Sequence, residues 1–215
     1  MNKEKPKLTV TTEPEKVVGR AEWKLASAVE EFNFDFKDKI VMDVGSSTGG
    51  FTEFALKHGA KKVIAIEKGT KQMKEPLRFD KRIDLREKTD IFTVGNENVD
   101  VILADVSFIS LVKVLEHLRE HIVSKPIIKN GTIVDDGLKQ AAKIDFLVMM
   151  KPQFEARKYQ LNHGVFKNDR LRRDTIKSFE ENIKRLGFVI IKKRDNDFPG
   201  RKGNLERFYW LKIAA

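Results

Sequence analysis

Asp105 and Lys151 each stand where an apolar run stops, in VDVILADVSF and KIDFLVMMKPQF. A charge set against a buried segment is costly unless it is paired or used, and a carboxylate and an amine in such places can orient and move a proton. Upstream, DVGSSTGGF places Gly45, Gly49 and Gly50 among Ser46, Ser47 and Thr48, with Phe51 beyond, just after the run KIVMDV. Glycines at that density let a backbone approach a ligand closely. The loop lacks the Gly-Lys-Ser/Thr of a phosphate-binding Walker loop and misses the GxGxxG dinucleotide spacing. Glu67 lies 22 residues after Gly45 at the end of the next apolar run, where it suits a ribose diol whose two hydroxyls donate to a carboxylate. Loop and carboxylate together favour a nucleoside cofactor without phosphate, namely S-adenosylmethionine, although the loop alone fits other α/β nucleotide folds as well. Asp43 either fixes the glycine loop by accepting backbone N–H bonds or simply caps a strand.

Other polar residues carry two readings each. Lys24 in EWKL reads alone as a surface helix lysine, Glu206 in NLERF as a solvated strand residue, and Asp90 in KTDIF as a turn residue. His117 and His121 lie four apart on one helix, but no third ligand accompanies them, so no metal site is expected. Trp23, Phe154 and Phe198 could stack on splayed bases, with core packing or an ordinary surface contact as the plainer role. Residues 151–215 hold 17 Lys/Arg against 8 Asp/Glu, which accounts for most of the net charge of +10. A localised excess of this kind collects polyanions such as nucleic acid, or is a solvated surface. Within it, Arg170, Arg172 and Arg173, with Lys192, Lys193, Arg194, Arg201 and Lys202, are the candidates for phosphate contacts.

These residues need a frame to bring them together. WKLASAVEEFNF has Leu25, Val29 and Phe32 at helical spacing, predicting a helix over 22–32. KIVMDVG, then TGGFTEFALKHG, then KKVIAIEKG read as strand, helix, strand, a unit that demands a parallel pair with a right-handed crossover. RIDLREK supplies an edge strand, VDVILADVSF a buried one, and SLVKVLEHLREHI a helix. Residues 124–143 break the rhythm and predict an extended connection with a short hairpin and a short helix. KIDFLVMMKPQF is a further strand, 157–168 a polar loop, and DRLRRDTIKSFEENIKRLG a long helix ended by Gly187. FVIIKKR and LERFYWLKI close the chain as an antiparallel hairpin. The expectation is an α/β fold: a mostly parallel seven-stranded sheet, a C-terminal antiparallel hairpin, and helices on both faces.

The chain has 215 residues, 40% hydrophobic, enough for one domain with a substantial core. With no cysteine it has no thiolate nucleophile, disulfide or Cys-ligated metal, and a reducing cytoplasm is its expected location. Neither a signal peptide nor a run of eighteen apolar residues is present, so a soluble protein is expected.

DVGSSTGGF, ADVSFISL and KPQFE, in that order at successive strand ends, resemble the TlyA (haemolysin A) family of ribosomal RNA 2′-O-methyltransferases, relatives of the FtsJ-type enzymes. GRAEWKLASAV and GNLERFYWL are similar to that family's first helix and last strand, so the resemblance runs from about Gly19 to Ile213. It implies a Rossmann-like methyltransferase fold that uses S-adenosylmethionine, with ribosomal RNA or a ribosomal subunit as partner. It also implies a Lys-Asp-Lys-Glu tetrad, matched here by Lys24, Asp105, Lys151 and Glu206, with Lys151 as general base. Asp90 matches the position that contacts the adenine. The cofactor is then expected over Asp43, Gly45 to Phe51, Glu67, Asp90 and Asp105. The family's small N-terminal RNA-binding domain has no room in residues 1–18, which are expected to be a loose segment ahead of a methyltransferase domain over 19–215. Ala21, Glu22 and Trp23 replace the paired glycines usual before the first lysine. A catalytically weak RNA-binding or ribosome-assembly factor is the alternative expectation, and a haemolysin a lesser one.

Overall fold

The computed structural model describes residues 20–123, 127–129, 132–135, 141–197, 200 and 203–214. The expected N-terminal segment 1–18, and the candidates Phe198, Arg201 and Lys202, lie outside the described residues. The strands are β1 (Ile40–Val44), β2 (Lys62–Ile66), β3 (Ile83–Arg86), β4 (Val101–Ala104), β5 (Ile127–Lys129), β6 (Thr132–Asp135), β7 (Asp145–Met150), β8 (Leu161–Asn162), β9 (Val165–Phe166), β10 (Phe188–Asp195) and β11 (Arg207–Ile213). Helices are α1 (Arg20–Phe32), α2 (Gly50–Lys57), α3 (Leu111–His117), the single turn α4 (Pro152–Glu155) and α5 (Asp169–Arg185). A π-turn over Leu118–Val123 continues α3.

Seven strands form one sheet in the order β10-β11-β7-β4-β1-β2-β3. The pairs from β7 across to β3 are parallel, and β11 runs antiparallel to both β7 and β10. The expected seven-stranded sheet with a closing hairpin is what the chain builds, and RIDL lies at an edge as expected. Strand order reverses between β1 and β4, so the carboxyl ends of these two strands flank the crevice where open α/β sheets hold ligands.

Strand alternation divides the core into two layers. Met42, Val44, Ile102, Phe146 and Val148 face α3 and α5, while Val41, Val63, Leu103, Leu147 and Met149 face α1 and α2. Because both faces are covered, the central strands read as apolar runs with no polar alternation, interrupted in β1 by Asp43 near its carboxyl end. Leu25, Ala28 and Phe32 fasten α1 to this second layer and are at most 1% exposed.

The region 157–168, expected to be a loop, contains a 3₁₀ turn over Lys158–Gln160 and the small hairpin β8–β9. Its turn residues His163 and Gly164 both take positive φ, 48° and 84°, the geometry that matches strand twist in two-residue hairpins. His-Gly is not a strong turn signal in sequence, and the two-residue strands are too short to show a period. The hairpin grips the segment before β11: Asn204 Nδ2 donates to the Gly164 carbonyl at 2.7 Å.

Truncation of Leu25 would leave a cavity beneath α1. Leu25→Ala is expected to lower the unfolding free energy by about 2–5 kcal/mol, read from urea denaturation, and to loosen the helix that carries Lys24.

Candidate active site

Parallel strands deliver their carboxyl ends to one edge, and the candidate residues gather there. Asp43 is the penultimate residue of β1, Glu67 follows β2, Asp105 follows β4 and Lys151 follows β7. Glu206 directly precedes β11, whose first residue Arg207 pairs with Met150, so the antiparallel strand brings Glu206 beside Lys151. Lys24 reaches the same edge from α1.

The glycine loop leaves β1 by crossing the end of β2, where the Gly45 and Ser46 amides donate to the Ile66 carbonyl at 2.9 and 3.2 Å. Gly45 has φ 82°, and a Cβ there would stand 3.1 Å from the Asp105 carbonyl oxygen. A side chain would crowd the Asp105 carbonyl in a left-handed conformation, which is why a glycine is favoured here. Glu67, buried, receives the Ser47 amide at 2.9 Å and the Gly69 amide at 2.6 Å. The carboxylate expected for a ribose diol therefore also holds the glycine loop in shape.

Asp43 differs from the expectation that it braces this loop. Its carboxylate takes the Thr52 hydroxyl at 2.6 Å, so it fixes the start of α2 instead. Burial, against the opposing bonds from Thr52, and the nearby Asp105 and Glu67 carboxylates push its pKa up to about 7. Asp43 Oδ1 and Ser46 Oγ make no hydrogen bond among the described residues, and both residues, though expected at the cofactor, lie buried behind the cleft and not among the residues that line it. The cleft above measures about 400 Å³ and is lined in part by Gly45, Ser47, Glu67, Asp90, Ile91 and Asp105. At its far wall Asp90 accepts the Phe92 amide at 3.1 Å and pairs with Lys68 at 2.8 Å. The Lys68 ammonium, then the Phe92 amide, hold its carboxyl below the usual range. Asp90 is thus a turn residue that also faces the cleft. Thr48, Gly49, Gly50 and Phe51 lead into α2 and are not among the residues lining the cleft.

The charged residues at the strand ends form two ion pairs. Lys151 Nζ lies 2.6 Å from Asp105 Oδ1 and donates to Ser107 Oγ at 2.7 Å. Lys24 Nζ donates to Glu206 Oε2, and Asn196 Nδ2 approaches the same oxygen at 3.4 Å. Glu206 is 4% exposed and Lys24 is largely covered, so neither is the solvated residue that each resembled in isolation. Carboxylates that deep must have partners, and here they do.

Sequence reasoning passed over Ser107, Phe108 and Asn196. Phe108 is 88% exposed with φ 66°, a backbone region that bulky residues rarely enter. Its ring lies 5.2 Å from that of Phe154. Trp23, half-exposed, follows the same edge next to Lys24. The motif ADVSFISL drew attention to the segment, but no sequence pattern announces a left-handed phenylalanine.

The basic candidates separate by environment. Arg172 binds Asp195 at 2.9 Å, and Arg194 binds the Ser27 carbonyl at 2.6 Å and Glu31 at 3.1 Å. Lys193 pairs with Glu180, while Lys192 donates to the Phe32 carbonyl. These groups tie elements together. Arg170 and Arg173 stay exposed on α5, paired among the described residues with Asp174 and Asp169 of their own helix. His117 Nε2 is 3.1 Å from the Val94 carbonyl oxygen and its ring lies against that of His121.

Asp43 makes stability depend on pH. Its folded pKa lies above the unfolded value of 3.8, so the folded state prefers the neutral acid and stability falls as pH rises from about 4 to 7. Between pH 5 and 8 the wild type is expected to lose roughly 2 kcal/mol that Asp43→Asn does not lose, measured by urea denaturation at both values.

Comparison with known proteins agrees with this geometry. A family model described as FtsJ-like methyltransferase matches residues 17–213. The chain is 35% identical to Hemolysin A of Brachyspira hyodysenteriae, covering 89% of this chain and 75% of that protein. It is 33% identical to the 23S rRNA (cytidine-2′-O)-methyltransferase TlyA of Campylobacter jejuni, over 90% of this chain and 70% of that one. A solved structure of a hemolysin-labelled protein from Streptococcus thermophilus superposes with a TM-score of 0.80 at 27% identity, covering 94% of this chain and 69% of that one. Crevice, strand order and sequence likeness converge, and the chain belongs to the FtsJ-like methyltransferase family.

Proposed function

We propose that the chain is an S-adenosylmethionine-dependent RNA ribose-2′-O-methyltransferase that acts on ribosomal RNA in the cytoplasm. The observation that carries this reading is the Lys151–Asp105 pair, steadied by Ser107, at the lip of a nucleoside-sized crevice, with Lys24–Glu206 on the neighbouring strand. The residues present fit the cofactor. Gly45 gives close backbone approach, Glu67 suits a diol, and Asp90 suits an adenine edge, all three lining the one cleft.

Bound S-adenosylmethionine would supply a methyl group on a sulfonium, which departs as a neutral thioether. The chain's own residues place the acceptor and manage its proton. Lys151 Nζ, as the amine, takes the 2′-hydroxyl proton while that oxygen forms its bond to the methyl carbon, and Asp105 and Ser107 aim the nitrogen. Lys24 and Glu206 hold the acceptor ribose from the adjoining strand end. Phe108, exposed next to Ser107 in the chain, offers a stacking face for an unstacked base, and the exposed Trp23 next to Lys24 offers a second. Arg170 and Arg173 supply phosphate contacts on the basic helix, whereas Arg172, Lys192, Lys193 and Arg194 act within the protein.

Calorimetry with S-adenosylmethionine tests the cofactor directly; absence of heat at millimolar cofactor would sink it. Transfer of labelled methyl to ribosomal RNA tests the base. Lys151→Ala should lower the transfer rate by about 100-fold or more while cofactor affinity stays within about threefold, since a base touches the transition state and not the bound donor. Undiminished transfer by that variant would remove Lys151 from the mechanism. Arg170→Ala and Arg173→Ala should each reduce the salt dependence of RNA binding by about one unit of slope, measured by filter binding across a salt series.

A further inference from the structure

Glu155 closes the KPQFE segment and has no part in the chemistry above, yet its carboxylate reaches back to the strand end that carries Asp105. Ser110 Oγ donates to Glu155 Oε2 at 2.7 Å, and the Leu111 amide donates to Oε1. The Val112 amide contributes as well, and burial, only partly opposed by these bonds, holds the carboxyl above its ordinary pKa. The segment between Asp105 and Ser110 is short and strained, since Phe108 sits at φ 66°. A bulky side chain persists in that conformation only where its surroundings hold it there. Two residues of one segment do the holding. Lys151 grips the loop at Asp105 and Ser107, and Glu155 grips it at Ser110 and Leu111, with the Phe108 and Phe154 rings 5.2 Å apart between them.

We infer that Glu155 is a positioning residue: its carboxylate clamps the 105–110 loop against the 151–155 segment and so keeps Asp105 and Ser107 on Lys151 Nζ. Without the clamp the loop relaxes toward an unstrained conformation, Ser107 and Asp105 lose register, and the lysine is no longer aimed. This rests on the reading of Lys151 as base. A residue that merely capped α3 would affect Leu111 and Val112 alone, and would leave the loop and the transfer rate unchanged.

The test uses the full chain with Glu155→Ala, Glu155→Gln and Ser110→Ala, read by amide hydrogen exchange and by single-turnover methyl transfer to ribosomal RNA. Glu155→Ala is expected to speed exchange across residues 106–112 by about tenfold or more, with β1 and β11 unchanged. Its transfer rate should fall about 30-fold while RNA and cofactor affinities stay within about threefold, the split expected when orientation and not binding is lost. Glu155→Gln keeps an acceptor for both amides and should recover transfer to within about fivefold of wild type, with Ser110→Ala intermediate. Exchange that accelerates only at 111–112 with transfer intact, or not at all, overturns the clamp. Should Glu155→Ala fail to fold, the same criteria apply to Ser110→Ala. Should the wild type transfer no methyl, the proposed function fails, and exchange over 106–110 still decides the clamp.

Discussion

Carboxylates shielded from water along one edge of a sheet dominate this molecule. Asp43 and Glu206 are almost fully buried and Glu67 nearly so, while Glu155 and Asp105 are partly covered. An ionised carboxylate removed from water costs several kcal/mol unless donors replace its hydration. Each is answered differently: Thr52 for Asp43, loop amides for Glu67, lysines for Asp105 and Glu206, and a serine with helix amides for Glu155. Asp43 keeps one oxygen without a hydrogen bond among the described residues, and burial, beyond what Thr52 offsets, raises its pKa. The carboxylates themselves sit at or beside the ends of packed strands and a helical turn, and that fixed placement makes the edge suitable for chemistry.

Topology supplies the rigidity. Apolar layers on both faces lock the central strands, so their carboxyl ends have little freedom. The antiparallel β11 is essential in a different way. A seventh parallel strand would deliver its carboxyl end to this edge, whereas β11 delivers its beginning, and with it Glu206 and the Asn196 contact. The β8–β9 hairpin braces the approach to β11 through Asn204, 40 residues from Gly164, and so supports the segment that carries Glu206.

The fold was legible almost entirely, because long apolar runs alternating with amphipathic segments admit few topologies. The His163–Gly164 hairpin was not, because its strands are too short for a period to emerge. At the site, the residue types carried unequal information. Asp105 and Lys151 were conspicuous as charges ending apolar strands, whereas Lys24 and Glu206 looked ordinary until family resemblance paired them. Among the basic residues, sequence marked a charged region but could not separate Arg170 and Arg173, which face solvent, from Arg172 and Arg194, which bind carboxylates and carbonyls inside the fold. All are arginines, and only their surroundings differ.

The amino-acid sequence by itself determined the alternation of strands and helices, the glycine loop after the first strand, and the order of charged residues at strand ends. These are local properties, set by period, turn chemistry and backbone freedom, and each is written within a dozen or so neighbouring residues. Tertiary structure decided the partners: Lys24 with Glu206, Lys151 with both Asp105 and Ser107, Asp43 with Thr52, and Glu155 with the loop that carries Phe108. Such pairings join residues from 9 to 182 positions apart. They depend on strand register and burial, so they take shape only once the sheet has closed and water has been excluded from its edge.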